Sequence, residues 1–233
     1  MTARTELDAG TVLRGTRFML LDFDGPVCSI FAGLPPEQVA AELLAILTTY
    51  GQPIPTGVDQ ADPLDVIRHA GSRGPELLHL AERYLSDAEL RAAETAEPTP
   101  GAGEFLRACR DTGRPVAVVS NNSEPAIVRY LHRVGLASLV EHIEGRSPVA
   151  PALMKPRPTS LRRALAAIAG PPGSAAIVGD SVTDIQAGRA AGVRCLGYAN
   201  KPGKDSRLHD AGADAVVGSM TDLAELTRRT PAP

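Results

Sequence analysis

The chain has little of several things. It has no tryptophan, only four phenylalanines and four tyrosines, and only three lysines among its 24 basic residues. So few aromatics leave no stacking platform for a nucleobase. The 27 acidic residues give a net charge of −3, and no basic stripe runs along the sequence. That excludes ordinary nucleic-acid binding, where neutralising phosphates supplies most of the affinity. No apolar run reaches the roughly 18 residues of a membrane span. Met1 to Gly10 is polar, so no leader segment is expected there. The three cysteines, Cys28, Cys109 and Cys195, are odd in number and far apart. This argues against a disulfide framework or zinc knuckle and points to a reducing, cytoplasmic setting. Arginine in place of lysine, with abundant alanine, reads first as the codon bias of a GC-rich genome.

What is present is globular: 43% of the residues are hydrophobic and 22% charged. Arg17 to Phe23 (RFMLLDF) reads as a buried strand followed by a turn at Gly25-Pro26. Residues 31 to 96 then show only helical spacing. One helix follows Pro35. A second starts at Asp62-Pro63, with Asp62 as N-cap. A third covers Glu76 to Ala96, where Ser86 and Asp87 offer a division into two. Glu97 to Gly101 (EPTPG) reads as a linker. Helix and strand alternate from there to Arg228. The strands are Pro115–Ser120, Leu139–Ile143, Ala175–Gly179, Val193–Tyr198 and Ala215–Val217. The intervening helices include Ser123–Val134, with Ser123 as N-cap, and Thr183–Ala191. That alternation implies a parallel sheet covered on both faces, a three-layer Rossmann-like α/β core. The expected division is a core of residues 1–30 and 98–233, interrupted by an α-helical insertion at 31–97. Residues 31–96 carry four Arg against ten Asp or Glu, so this part is acidic and the remainder basic.

In open parallel sheets, ligands bind beyond the carboxyl ends of the strands. Strand one ends in Asp22-Phe-Asp24-Gly25. Both carboxylates can leave the same side of an extended chain. Their crowding suits one as nucleophile and the other as general acid. An Asp-x-Asp-Gly is also an ordinary strand-end turn. The strand before Gly179-Asp180-Ser181 adds Asp180, and Asp184 follows in the first turn of the next helix, where capping is the plainer role. Four carboxylates at one sheet end call for a cation. An all-oxygen set favours Mg²⁺ over Zn²⁺. Ser120 opens an anion site at a helix start, and Lys155, between Met154 and Pro156, offers a compact positive charge. With Mg²⁺, Lys155 and a proton on Asp24, the four acids become formally neutral, so a phosphate could enter.

These residues, in this order, resemble the four motifs of the haloacid dehalogenase-like superfamily: Asp22-Phe-Asp24-Gly25, Ser120-Asn121, Lys155-Pro156 and Gly179-Asp180-Ser181-x-x-Asp184. The likeness runs from about Arg17 to Gly218. The helical insertion is similar to the family's small α-helical cap, as in phosphoglycolate phosphatase-like members. The resemblance implies a Mg²⁺-dependent phosphatase acting on a small phosphorylated metabolite. Asp22 would form an aspartyl-phosphate, and Asp24 would serve as acid and then base. Ser120 and Lys155 would hold the phosphoryl oxygens. Asp22, the Asp24 carbonyl, Asp180 and Asp184 would form the metal site. Asn121 would contact substrate, and Gly25 would allow a close turn. Pro26 departs from the family's usual Thr or Val and puts that loop's geometry in question. A phosphomutase and a non-catalytic binding protein on the same fold stay open. A Schiff-base mechanism from the cap does not, because residues 31–96 contain no lysine. Arg68, His69, Arg73, His79 and Arg83 are the polar candidates for reading the leaving group, with Gly33 and Glu97 to Gly101 as hinges for closure. Lys201 and Lys204 read as surface loop.

Overall fold

The computed structural model describes residues 8–52 and 56–233. Its centre is a six-stranded, all-parallel sheet. The strands are β1 (Phe18–Leu21), β4 (Val116–Val119), β5 (His142–Glu144), β6 (Ala175–Gly179), β7 (Arg194–Tyr198) and β8 (Ala215–Val217), in the order β5-β4-β1-β6-β7-β8. Consecutive side chains of a strand leave opposite faces, and both faces are buried. Met19, Leu21, Val116, Val118, Ala176 and Val178 meet α1 (Ala9–Arg14), α5 (Ala102–Asp111), α6 (Glu124–Arg133) and α10 (Met220–Arg229). Leu20, Ala117, Val119, Ala175 and Ile177 meet α7 (Thr159–Ala167), α8 (Val182–Ala191) and α9 (Lys204–Asp210). This is the three-layer Rossmann-like α/β fold that the alternation implies. Burial on both faces explains why the strands read as apolar runs, with no polar alternation.

Two short helices escape the sequence pattern. α1 starts at the end of the stretch read as polar, Met1 to Gly10, and runs beyond it; its Asp8 N-cap accepts from Thr11 N–H at 2.8 Å, and Val12 and Leu13 are fully buried. α9 begins at Lys204, inside the stretch read as surface loop.

Between β1 and α5 the chain makes α2 (Pro36–Thr49), α3 (Pro63–Arg73) and α4 (Pro75–Thr95), which share a separate apolar cluster around Leu43, Ile67, Leu78 and Leu85. α4 is one unbroken helix, so Ser86 and Asp87 do not divide it; Ala81, Leu85, Ala88 and Ala92 keep one face buried throughout. Asp62 caps α3 as its sequence implies, accepting from Leu64 N–H at 2.9 Å. The segment read as a linker is also paired. β2 (Cys28–Ser29) and β3 (Glu97–Pro98) form a two-stranded antiparallel ribbon, and Thr99 donates to the Val27 and Gly25 carbonyls at 3.0 and 2.6 Å. The entry and exit of the inserted helices are thereby tied to each other.

Candidate active site

Three strand ends and one loop converge at the carboxyl edge of the sheet, where the strand order reverses around β1. Asp22 follows β1 and is buried. Its Oδ1 accepts from Phe23 N–H at 2.8 Å and from Lys155 Nζ at 2.7 Å. Among the described residues Oδ2 accepts nothing. Lys155, only 2% exposed, also donates to Asp184 Oδ1 at 2.5 Å and to the Val119 carbonyl at 3.1 Å. Burial alone would lower the pKa of its ammonium, but Asp184 and Asp22 outweigh this and hold it above its ordinary value. Burial drives the Asp22 carboxyl well up, and the Asp184 charge adds to this against Lys155.

Asp184 does two jobs with its two oxygens. Oδ2 accepts from Ser181 N–H and Oγ at 3.0 and 2.6 Å, completing a capping box at the start of α8. Oδ1 takes the lysine. The capping role and the site role therefore coexist in one side chain. Asp180, after β6, accepts from Asn200 Nδ2 at 3.1 Å and from Lys204 Nζ. One oxygen each of Asp22, Asp180 and Asp184 lies within 4.8 Å of the others. Three hard oxygen donors at this spacing fit a divalent cation such as Mg²⁺.

Asp24 stands apart from that trio. Its surface opens to the cavity, and Oδ1 accepts from Ile30 N–H at 3.0 Å. Partial desolvation pushes its carboxyl above the ordinary value, against the Ile30 bond. The loop around Pro26 closes without a proline N–H: Gly25 N–H donates to the Cys28 carbonyl at 2.7 Å, and Val27 and Cys28 both donate to the Phe23 carbonyl. Gly25 has φ of 103°, and a Cβ there would lie 2.4 Å from the Asp180 carboxyl carbon. Only glycine lets Asp180 pack so close.

Ser120 Oγ donates to Asn122 Oδ1 at 3.0 Å and accepts from Asn122 N–H at 3.1 Å. Asn121 uses its carboxamide on the backbone of Lys155, giving Nδ2 to the carbonyl at 3.3 Å and taking N–H on Oδ1 at 2.9 Å. Its side chain positions the lysine loop. Its own N–H has no partner among the described residues and stays available to a ligand. Ser123 stands at the N-cap of α6 but makes no side-chain cap. Glu89, from α4, instead accepts from the N-cap residue itself, Ser123 N–H, at 2.9 Å and from Asn122 Nδ2 at 3.2 Å.

Glu89 belongs to a cluster the sequence reading missed. Arg146, after β5, donates to Glu82 at 2.9 Å and to Glu89 at 2.8 Å, and its Nη1 reaches the Asn121 carbonyl at 2.6 Å. All three side chains are buried. The available signal was Glu82 and Glu89 seven apart on the apolar face of α4, where charges need a partner.

A cavity of about 570 Å³ joins the two halves of the site. Asp22, Asp24, Gly25, Ser120, Asn121, Lys155 and Asp180 all line it, and Asp184 lies directly behind them. None of Arg68, His69, Arg73, His79 and Arg83 does. Arg68 pairs with Asp65 at 2.5 Å and reaches the Lys155 carbonyl at 3.4 Å, and Arg73, His79 and Arg83 are exposed. Lys201 lines the cavity and Lys204 pairs with Asp180, so neither belongs to an uninvolved surface loop.

The chain is similar to several known proteins. A phosphoglycolate phosphatase from Caulobacter vibrioides is 30% identical over 162 residues, covering 66% of this chain and 65% of that protein. A beta-phosphoglucomutase from Mycobacterium tuberculosis is 30% identical over 188 residues, covering 74% of this chain and 63% of that protein. The matches thus span less than two thirds of either relative. A solved haloacid dehalogenase family hydrolase from Deinococcus radiodurans, with bound phosphate and sodium, superposes with a TM-score of 0.60 at 27% identity, covering 94% of this chain and 100% of that one. The family model for haloacid dehalogenase-like hydrolases matches residues 37–192, more than half of the chain, and the fold carries Asp22 and Asp24, which precede that stretch, to the same sheet edge. The chain belongs to the haloacid dehalogenase-like hydrolase family.

Proposed function

We propose that the protein is a Mg²⁺-dependent phosphatase that hydrolyses a small phosphorylated metabolite through an aspartyl-phosphate on Asp22. The observation that carries this reading is the asymmetry of Asp22: Phe23 N–H and Lys155 both hold Oδ1, and Oδ2 is left without a partner beside the cavity. Oδ2 attacks phosphorus, and the bond from phosphorus to the leaving oxygen breaks. Asp24 gives that oxygen its proton, and the burial that raises its carboxyl favours the protonated form. The Asp24 carboxylate then takes a proton from the water that attacks the phosphoenzyme, releasing inorganic phosphate and restoring Asp22. The Ser120 hydroxyl, the Asn121 N–H and Lys155 receive the phosphoryl oxygens.

Asp22, the Asp24 carbonyl, Asp180 and Asp184 would hold Mg²⁺, which when bound offsets the crowded carboxylates and the incoming phosphate dianion. The helices α2 to α4 act as a cap that covers the leaving group and excludes water. The mutase reading is favoured by one observation, the relative named beta-phosphoglucomutase. Release of phosphate with no isomer formed from a hexose phosphate decides for hydrolysis. Release of phosphate from p-nitrophenyl phosphate with Mg²⁺, lost on Asp22→Asn, tests the mechanism; full activity in that variant would overturn it.

A further inference from the structure

The cavity's cap side is apolar and acidic. Phe31, Ala32, Pro36, Pro63, Leu64 and Leu85 line it, together with Asp62 and Glu89. No cap cation lines it. The segment's basic side chains are Arg68, Arg73, Arg83 and Arg91, with His69 and His79, and none reaches the cavity wall. Arg146 stands behind Glu89 but is shared with Glu82, two carboxylates to one guanidinium.

The two cap carboxylates differ in what remains of them. Both oxygens of Glu89 are taken, by Arg146, Asn122 and Ser123. Asp62 Oδ1 caps α3, and its Oδ2 accepts nothing among the described residues. Burial holds the Asp62 carboxyl above its ordinary value, ahead of the Leu64 bond that lowers it, so its charge is already poorly compensated. A second anion beside it would meet repulsion in a partly desolvated space. A hydroxyl would find a vacant acceptor. Among the described residues, Lys201 is the one further cation on the cavity wall besides Lys155; it is exposed and comes from the core side, near Asn200 and Asp180.

From this wall we infer that the site selects phosphate esters of uncharged, hydroxyl-bearing alcohols and discriminates against leaving groups with a carboxylate or a second phosphate, with Asp62 as the selecting residue. The inference rests on the phosphatase reading for the cavity's use. It separates this chain from what its relatives' name, phosphoglycolate phosphatase, says of them, since phosphoglycolate carries a carboxylate. Specificity of this kind is a difference between two binding free energies, in which the repulsive element counts as much as the attractive one.

The test uses two three-carbon esters that differ in one terminal group, glycerol 3-phosphate and 3-phosphoglycerate. Each is measured as a competitive inhibitor of p-nitrophenyl phosphate hydrolysis by the full chain with Mg²⁺. The expected inhibition constant for 3-phosphoglycerate is at least tenfold the higher. In Asp62→Asn, which keeps a capping oxygen, the gap narrows threefold or more. Equal or tighter binding of 3-phosphoglycerate by the wild-type protein would overturn the inference, as would a gap unchanged by Asp62→Asn, which would leave the carboxylates of the core wall to set the preference. Failure of glycerol 3-phosphate to compete would overturn it too. Absence of any hydrolysis would strike the phosphatase reading instead, and the same ordering is then read from calorimetric binding of the two esters to the Mg²⁺-loaded protein.

Discussion

The two walls of the cavity are built on different principles. The core wall is polar and crowded with charge, and nearly every group on it is held by another. Lys155 grips Asp22 and Asp184, Asn121 grips the Lys155 backbone, and Lys204 grips Asp180. The cap wall is mostly apolar, and Asp62 is the side chain on it with an idle oxygen. On the phosphatase reading, chemistry that has to be the same for every phosphate ester would sit on the strand ends. Recognition of what the phosphate is attached to would sit on helices that bury their own small core. Fixed geometry around the reacting atoms gives the rate, and the second wall can vary without disturbing it.

The largest effect should come from breaking the core wall at its centre. Asp22→Asn is expected to lower kcat by roughly 10⁴-fold, as removal of a covalent nucleophile does. The melting temperature should move little, because the amide can still accept from Phe23 N–H. Loss of activity together with unfolding would mean that Asp22 is structural only.

The next effect tests what joins the walls. Arg146→Met strands Glu82 and Glu89 in the interior, where breaking one side of a buried ion cluster costs about 3–5 kcal/mol. Chemical denaturation measures this. Replacing all three with apolar residues should recover most of the stability, since such clusters are close to neutral against good packing. Turnover should stay low, because Glu89 also holds Asn122 and Ser123 beside Ser120. If the triple variant recovers both, the cluster serves packing alone.

The contrast also explains what could be read from the sequence. The core wall was legible because a parallel sheet delivers strand ends to one edge. Asp22, Ser120 and Asp180 each follow an apolar run, and Asp184 follows at capping distance. The cap wall was not legible. Polar side chains on helices drew attention to Arg68, His69, Arg73, His79 and Arg83, yet the cavity is lined by the helix starts, Pro36 and Asp62-Pro63-Leu64, and by Leu85 and Glu89 from the buried face of α4. The direction a helix faces depends on its partners, which a local pattern does not encode. Arg146 and Lys204 were missed for a related reason: their carboxylate partners lie 57 or more and 24 residues away, and no periodicity marks such pairs. The pairing at Glu97–Pro98 was not legible because a two-residue strand depends wholly on Cys28-Ser29.

A smaller effect asks how tightly the core wall is fitted. Lys155 is one of only three lysines in a chain that otherwise writes arginine. Its Nζ has three acceptors at 2.5 to 3.1 Å and almost no exposed surface. A guanidinium in that space must shift its neighbours, and overpacking of this kind costs about 1–3 kcal/mol. Lys155→Arg should lower kcat about a hundredfold while keeping the charge. Full activity would show that charge alone matters there.

The smallest effect separates the two lysines of the core wall. Lys155 neutralises two of the three clustered acids from inside, whereas Lys204 reaches Asp180 from α9 with both groups half-buried. If the trio holds Mg²⁺, Lys204 competes with the ion for Asp180, and Lys155 does not reach that carboxylate. A partly screened ion pair is worth no more than about 1 kcal/mol, which is a factor of about five in a binding constant. Lys204→Ala should therefore raise Mg²⁺ affinity by up to about fivefold, read by calorimetric titration, and lower the Mg²⁺ needed for half-maximal turnover in step. Freed of the lysine, Asp180 still keeps its bond from Asn200, so its position should hold. Weaker Mg²⁺ binding in the variant would reverse the assignment: Lys204 would then be orienting Asp180 for the ion, and both lysines would serve the core wall in the same way.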